Sequence, residues 1–376
     1  MDLSKFIFCL ILITIFILIS KYYLNQQNQF YKIKLSRPIK IKNQKMPPIL
    51  IWNRCQHARG IGYPDYPLIE SNTKCPFDCT FTYDRKFEAN ASTTLFFLHL
   101  FCNETDWPKN RREDQNYMMY TVESPIQTTF KYYDRKLLTD KFFNSSATYR
   151  LDSSVFMPYD ALTRITPTTP KEYIWDQKEV MERVKKKTKF VFQAVSHCDS
   201  ESGRDPISKR LKNITGFDIV GGCFGGWCSY DCYDRNMEDH KFYLALESNI
   251  CLNYVTEKFW KALRSLTIPV VFSRSVFEGM DVPSNAFIAL DDFKSVNEFV
   301  AHLRALQNDT EKYLKHFEWT KTYTKRKFGY DYSPICQICE YATRQFEQDR
   351  KNILDLDKFW NVKDCNKFDV EKFLKD

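Results

Sequence analysis

Residues 240–272 read HKFYLALESNICLNYVTEKFWKALRSLTIPVVF, and the way apolar and charged positions alternate along them decides the fold. Phe242 to Leu246 is a short apolar run, a strand by length and content. Tyr254 to Leu266 then sets Val255, Phe259, Leu263 and Leu266 at helical spacing, with Glu257, Lys258, Lys261 and Arg264 on the other faces. Ile268 to Phe272 is again β-branched and apolar. Strand, loop, helix, strand is a βαβ unit of a parallel sheet, and such sheets bind ligands at the carboxyl ends of their strands.

The loop of this unit carries Glu247, Ser248 and Asn249, and the helix start carries Tyr254, Thr256, Glu257 and Lys258. Unpaired N–H groups and a partial positive charge at a helix amino end favour a diphosphate, to which Lys258 adds a full charge. Glu257 beside it suits sugar or ribose hydroxyls. Glu257, Lys258 and Lys261 equally fit the solvated face of an amphipathic helix, and spacing alone leaves both readings open.

FYLALES, YVTEKFW and IPVV together resemble the signature of the α1,3-fucosyltransferases, glycosyltransferase family ten, and the cluster of Cys223, Cys228 and Cys232 resembles that of its invertebrate type. The family form is Lys-Phe-Tyr-Leu-(Ala/Ser)-Phe-Glu-Asn-Ser, a short gap, then Tyr-(Val/Ile)-Thr-Glu-Lys. This chain departs from it by transposing Ser248 and Asn249, by Lys261 at a usual Asn, and by lacking a Gly before Pro269. The resemblance covers roughly residues 49–340. It implies an α/β protein of GT-B type, two Rossmann-like domains facing a cleft, preceded by an N-terminal transmembrane anchor. It also implies a donor site built from Arg204, Glu247, Ser248, Asn249, Tyr254, Thr256, Glu257 and Lys258.

Outward from that unit, 376 residues with 43% hydrophobic content suffice for two domains with cores. Phe6 to Ile19 is apolar save Thr14 and runs on to Leu24; no small-x-small cleavage site follows, so it reads as an uncleaved signal-anchor through the bilayer. Residues 21–48 hold Lys21, Lys32, Lys34, Arg37, Lys40, Lys42 and Lys45 and no acid, while Asp2 cancels Lys5. Seven of the net +8 charges thus lie in this stem and +1 remains for residues 49–376, which excludes nucleic-acid binding by a basic fold. The expected organisation is 1–5 cytoplasmic tail, 6–24 anchor, 25–47 basic stem, 48–165 acceptor-side α/β domain, 166–340 GDP-fucose-binding domain and 341–376 charged helical tail.

The positive-inside rule would hold the basic stem in the cytoplasm, but cysteines and sequons point the other way. Of thirteen cysteines Cys9 lies in the apolar run, leaving Cys55, Cys75, Cys79, Cys102, Cys198, Cys223, Cys228, Cys232, Cys251, Cys336, Cys339 and Cys365 as disulfide candidates. Zinc is disfavoured, since the chain has six histidines and no paired knuckles at finger spacing. Sequons at Asn90, Asn103, Asn144, Asn213 and Asn308 fit an oxidising lumen. The expectation is a single-pass type II Golgi membrane protein with its body lumenal. The pairing of the cysteines stays open.

In NYMMYTVESPIQTT, Met118 to Val122 reads as a strand, and Pro125 forces Ser124 into an extended conformation, so Glu123 sits at a carboxyl strand end. A surface turn would look the same. The resemblance favours catalysis: Glu-Ser-Pro matches the family motif whose carboxylate is implicated as the base that takes the acceptor hydroxyl proton. FFNSSATYRLDSSVFMPYDAL resembles a further family run, with Tyr149, Arg150, Asp152 and Tyr159 matching, although Arg150 and Asp152 also read as a local ion pair. His99 closes a buried strand and reads as a core imidazole. Thr163 to Pro170 is the linker candidate.

FVFQAVSHC, residues 190–198, is a strand leading into a Ser/Gly loop that ends at Arg204, another cation at a carboxyl strand end. FDIVGGCFGGWC has tight glycine turns but no dinucleotide fingerprint. Asp291–Asp292 reads as a helix cap region, and no metal site is assigned; CQIC at 336–339 reads as structural.

The resemblance implies transfer of fucose from GDP-fucose, with inversion, to a GlcNAc-containing glycan on a glycoprotein or glycolipid. It also implies no tightly bound cofactor, and a divalent metal that is stimulatory at most and not obligatory. Two rivals stand beside it: a non-catalytic relative that binds the GDP-sugar, and a secreted disulfide-rich receptor ectodomain.

Overall fold

The structure is a computed structural model, and it describes residues 46–53, 75–98, 107–108, 112, 115–128, 141–328, 334–348 and 354–375. The apolar run at 6–24, the basic stretch as far as Lys45, and His99, Asn103, Cys55 and Cys102 lie outside these residues, as do the expectations placed on them. Among the described residues no helix is long and apolar enough to cross a membrane.

The first sheet is built from β1 (Ile49–Ile51), β2 (Phe81–Thr82), β3 (Thr93–Phe97), β4 (Asn116–Tyr120), β5 (Ser145–Thr148) and β6 (Val155–Phe156). All pairs are parallel, in the order β2-β1-β3-β4-β5-β6. β1, β3, β4 and β5 are buried at every residue, as parallel strands covered on both faces must be. Phe96 is the hub of their core, with Trp107, Tyr117, Phe142 and Phe143 around it at ring separations of 5.0–5.9 Å.

The second sheet follows through α1 (Gln177–Lys186), β7 (Lys189–Ala194), α2 (Arg204–Lys212), β8 (Phe217–Val220), α3 (Tyr230–Asp239), β9 (His240–Leu244), the short β10 (Ile250–Cys251), α4 (Glu257–Arg264), β11 (Ile268–Val271) and β12 (Ile288–Ala289). Its order is β12-β11-β9-β7-β8, again parallel throughout. The chain runs outward from β7 to β8 and returns on the far side of β7 as β9, so the strand order reverses between β7 and β9. A crevice opens at such a reversal, between the two loops that leave the strands. The quoted stretch therefore supplies the central strand β9, the helix α4 and the strand β11.

α4 is shorter than its periodicity predicts. Thr256 caps it, its side chain accepting from the Lys258 N–H, so Tyr254 and Val255 stand before the helix. Leu266 takes a positive φ of 54°, which closes the other end after Arg264. Phe259, Trp260, Ala262 and Leu263 form its buried face, each large side chain contributing about 1.5–3 kcal/mol by leaving water.

The carboxyl-terminal part contains α5 (Val296–Asn308), α6 (Thr310–Lys315), α7 (Pro334–Gln348), α8 (Leu356–Phe359), β13 (Cys365–Asn366) and α9 (Val370–Leu374). The charged helical tail expected from residue 341 is divided between the two sheets. α7 is tied to the loop before β2 by Cys75–Cys336 and Cys79–Cys339, and Leu356, Phe359 and Trp360 enter the core of the first sheet. β13 then pairs antiparallel with β10, Cys251–Cys365 joins them, and Phe373 enters the core of the second sheet. Charge dominates the composition of this segment, and its few aromatic residues do the packing.

Asp291 and Asp292 lie in the short 3-10 turn Leu290–Asp292, where Asp292 Oδ2 accepts from the Ala289 N–H at 3.3 Å and pairs with Arg274 at 2.7 Å, while Ser295 caps α5. Asn90, Asn213 and Asn308 are exposed. Asn144 is engaged by the sheet, its Oδ1 accepting from the Tyr117 N–H at 2.8 Å. Among the described residues Cys198–Cys223 and Cys228–Cys232 complete the bridges.

Candidate active site

The loop leaving β9 and the start of α4 lock together. Glu247, nearly buried, accepts from the Thr256 N–H at 2.8 Å and from Thr256 Oγ1 at 2.7 Å, while Lys258 Nζ lies 3.1 Å from Glu247 and 3.1 Å from Glu257. Burial pushes the Glu247 carboxyl up and Lys258 pulls it back. Burial also disfavours the Lys258 charge, but Glu247 and Glu257 outweigh it and hold the ammonium above its ordinary value. The first turn of α4 is thus already answered by a carboxylate, and any anion arriving there would share Lys258 with Glu247. A cleft lined by Ala245, Glu247, Asn249, Tyr254, Phe272 and Phe277 opens beneath this loop.

Glu123 comes from the first sheet, three residues beyond β4, and is half-buried. Tyr254 Oη donates to Glu123 Oε2 at 2.8 Å, and next to it Ser124 Oγ donates to Asn249 Oδ1 at 3.0 Å. Tyr254 is buried against Tyr149, ring centres 5.2 Å apart, and burial holds its hydroxyl well above its ordinary value, so it stays a donor. Behind Glu123 the turn is braced twice. Thr128 Oγ1 donates to the Ser124 carbonyl, and Trp360 Nε1 from the tail donates to Thr128 Oγ1 at 2.6 Å.

Arg204 opens α2 at the other side of the crevice but is 2% exposed. Nη1 donates to the Leu246 carbonyl at 3.1 Å, Nη2 to the His197 carbonyl, and Nε finds no partner among the described residues. That is the geometry of a clamp between the loops leaving β7 and β9, not of a cation held out to solvent. The Ser202 N–H joins the same clamp by donating to the Ser248 carbonyl at 3.0 Å. Arg150 is likewise structural: it pairs with Asp152 at 2.8 Å and with Asp364 of the tail at 2.5 Å.

The expected site residues therefore converge. Glu247, Ser248, Asn249, Tyr254, Thr256, Glu257 and Lys258 form one loop-and-helix edge, Arg204 braces it from behind, and Glu123 reaches it from the other sheet. Sequence reasoning missed the Ser124–Asn249 bond and the Arg264–Asp160 pair at 2.9 Å that ties the far end of α4 to the segment just before the linker. No local pattern signals a partner more than a hundred residues away. Among the described residues no group of three or more His, Cys, Asp or Glu is arranged to hold a metal ion.

Residues 184–359 match the family described as glycosyltransferase family 10 (fucosyltransferase) C-term, and residues 44–160 match fucosyltransferase, N-terminal. The chain is 29% identical over 278 residues to alpha-(1,3)-fucosyltransferase fut-6 of Caenorhabditis elegans, covering 69% of this chain and 67% of that protein. It is 31% identical over 268 residues to the 3-galactosyl-N-acetylglucosaminide 4-alpha-L-fucosyltransferase FUT3 of Bos taurus, covering 70% and 69%. A crystal structure of an alpha1,3-fucosyltransferase with GDP-fucose aligns over 82% of this chain and 92% of its own at 16% identity, with a TM-score of 0.46.

Proposed function

We propose, from the premise that this chain belongs to glycosyltransferase family 10, the fucosyltransferases, that it transfers fucose from GDP-fucose in α1,3 linkage to a GlcNAc residue of a glycan. The single observation that carries the reading is the 2.8 Å bond from Tyr254 to Glu123, which brings the carboxylate of the first sheet onto the loop between β9 and α4. In this reading the molecule is a GT-B enzyme. Its second sheet holds the nucleotide, with Lys258 on the diphosphate and Glu257 on the ribose. Its first sheet holds the acceptor.

The chemistry asks for one group at the right place. The acceptor oxygen attacks fucose C1 from the face opposite the departing GDP, the C1–O(phosphate) bond breaks, and the acceptor proton passes to Glu123. Lys258 answers the charge growing on the leaving diphosphate. The anchor at 6–24, the Golgi location and glycans on Asn90, Asn213 and Asn308 belong to the same proposal, supported by the five bridges among the described residues, which fit an oxidising compartment.

A soluble form from residue 46 offered GDP-fucose and a panel of GlcNAc-terminated and galactosylated glycans tests it. Fucosylated product with the α1,3 linkage supports the reading. GDP binding with no turnover on any glycan would make the chain a non-catalytic relative.

A further inference from the structure

The loop between β8 and α3 does something the donor site does not require. Of the large hydrophobic side chains that stand exposed among the described residues, Trp227 at 87% and Tyr230 at 80% lie within four residues of each other. A clustered pair of exposed rings marks an interaction surface. Trp227 lies in the loop between β8 and α3, Tyr230 is the first residue of α3, and the loop is stiff. Cys198–Cys223 fixes its start, Cys228–Cys232 its end, and the Gly221 N–H donates to the Gly226 carbonyl across its base. Gly225 and Gly226 take positive φ of 77° and 96° with no atom near where a Cβ would be, so the loop stands clear of the body. Little ordering entropy is left to be lost when a ligand settles on the rings.

The position is equally specific. β8 is the edge strand, and its loop lies on the carboxyl rim that carries the donor edge. Lys261, one turn past Lys258 on α4, sits 4.9 Å from the Tyr233 ring centre and 5.9 Å from that of Tyr230. The Cys198–Cys223 bridge joins the loop to the one that contacts Ser248. At the rim end of α3 stand Asp231 and Asp234, whereas Glu238 and Asp239 close the helix at its far end, paired with Arg183 and Lys189. Asp231 and Asp234 offer carboxylate acceptors to hydroxyl groups next to the rings, and Lys261 and Arg235 offer donors.

We infer that Trp227 and Tyr230 form a saccharide platform that stacks a pyranose ring of the acceptor glycan, remote from the sugar that receives fucose. The inference rests on the fucosyltransferase reading for the identity of the glycan. A pyranose has one face of C–H groups for an aromatic ring and a rim of hydroxyls for carboxylates. Binding energy gathered there favours extended acceptors over minimal ones.

Initial rates of the soluble chain on an extended branched glycan and on the minimal disaccharide acceptor test the platform, comparing the parent with Trp227→Ala, Trp227→Phe and Tyr230→Ala. Trp227→Ala should raise KM for the extended glycan by about threefold to tenfold, the scale of one ring contact, with the disaccharide unchanged and Trp227→Phe largely restoring it. An equal KM change on both acceptors, or none on either, would overturn the platform. Weakened GDP binding would hand the rings to the nucleobase, and lost binding to phosphatidylserine vesicles would hand them to a membrane; both results sink the inference. Failure of the parent to use any glycan would instead count against the fucosyltransferase reading, and direct binding of the extended glycan, lost in Trp227→Ala, would still test the platform.

Discussion

Tyr254 and Glu123 stand 131 residues apart in the chain and 2.8 Å apart in space, the phenol donating to the carboxylate. The bond runs from the loop that precedes α4 to the loop that follows β4, so the proposed donor edge and the candidate base hold each other. Tyr254→Phe keeps the ring against Tyr149 and removes only the donor. Transfer should fall about tenfold to a hundredfold, the scale of a hydrogen bond to a charged group, with GDP affinity nearly unchanged. Glu123→Gln should cost about 10²–10⁴-fold in rate. Adding Tyr254→Phe to Glu123→Gln should then cost little more, because the two side chains act as one unit. Additive losses in that double variant would dissolve the coupling.

Lys258 is claimed by Glu247 and by any bound diphosphate, and the two claims separate experimentally. Lys258→Met should weaken GDP binding and also destabilise the fold by about 1–3 kcal/mol, since Glu247 is left buried without its cation. Lys258→Met with Glu247→Gln should recover stability in denaturant but not GDP affinity. Recovery of both would reduce Lys258 to a structural partner of Glu247.

The β9–α4–β11 order was legible because apolar periodicity is a local signal, whereas the cap at Thr256 went unread, and Glu123 was readable as a residue beyond β4 although that strand stops at Tyr120, well before Pro125. Arg204 shows the boundary of that method. Its place after β7 was readable, yet a cation at a strand end and a buried clamp have the same sequence, and only the carbonyls of Leu246 and His197 tell them apart. The tail was unreadable for a related reason. Leu356, Phe359, Trp360 and Phe373 are spread among charges without sustained period, and the surfaces that bury them lie in two different sheets.

Lys187 is 1% exposed, its Nζ donating to the Met237 carbonyl at 2.6 Å, the Glu238 carbonyl at 3.1 Å and Thr267 Oγ1 at 2.8 Å. Burial pushes it down to about 7, with Glu238 opposing the shift and Arg183 adding to it. Between that value and the ordinary one near 10.5 the unfolded chain binds more protons than the folded one, so stability rises with pH across the window. Denaturant midpoints from pH 6.5 to 9.5 should climb in the parent, and Lys187→Met should flatten the Lys187 part of the slope. Parallel curves for the two proteins would mean that the carbonyl acceptors keep the ammonium charged throughout.

The bridges offer a test of what holds the tail. Cys251–Cys365 closes a loop with a sequence separation of 114, whereas Cys228–Cys232 spans 4. If a bridge acts mainly by restricting the unfolded chain, the long loop loses more: replacing both cysteines by serine should cost about 3–5 kcal/mol for Cys251–Cys365 and about 1–2 kcal/mol for Cys228–Cys232. The first pair also has a local consequence. Cys251 lies between Asn249 and Tyr254, and the Leu252 N–H donates to the Asp364 carbonyl at 3.1 Å, so the bridge restrains the segment that meets Glu123. Hydrogen exchange in residues 250–254 should quicken in Cys251→Ser/Cys365→Ser, and transfer should fall with it. The Cys228→Ser/Cys232→Ser pair should leave exchange there unchanged. Equal stability losses in the two pairs, with no local change at 250–254, would show that packing of Trp360 and Phe373 alone fastens the tail, and that the bridge adds nothing to the order of the site.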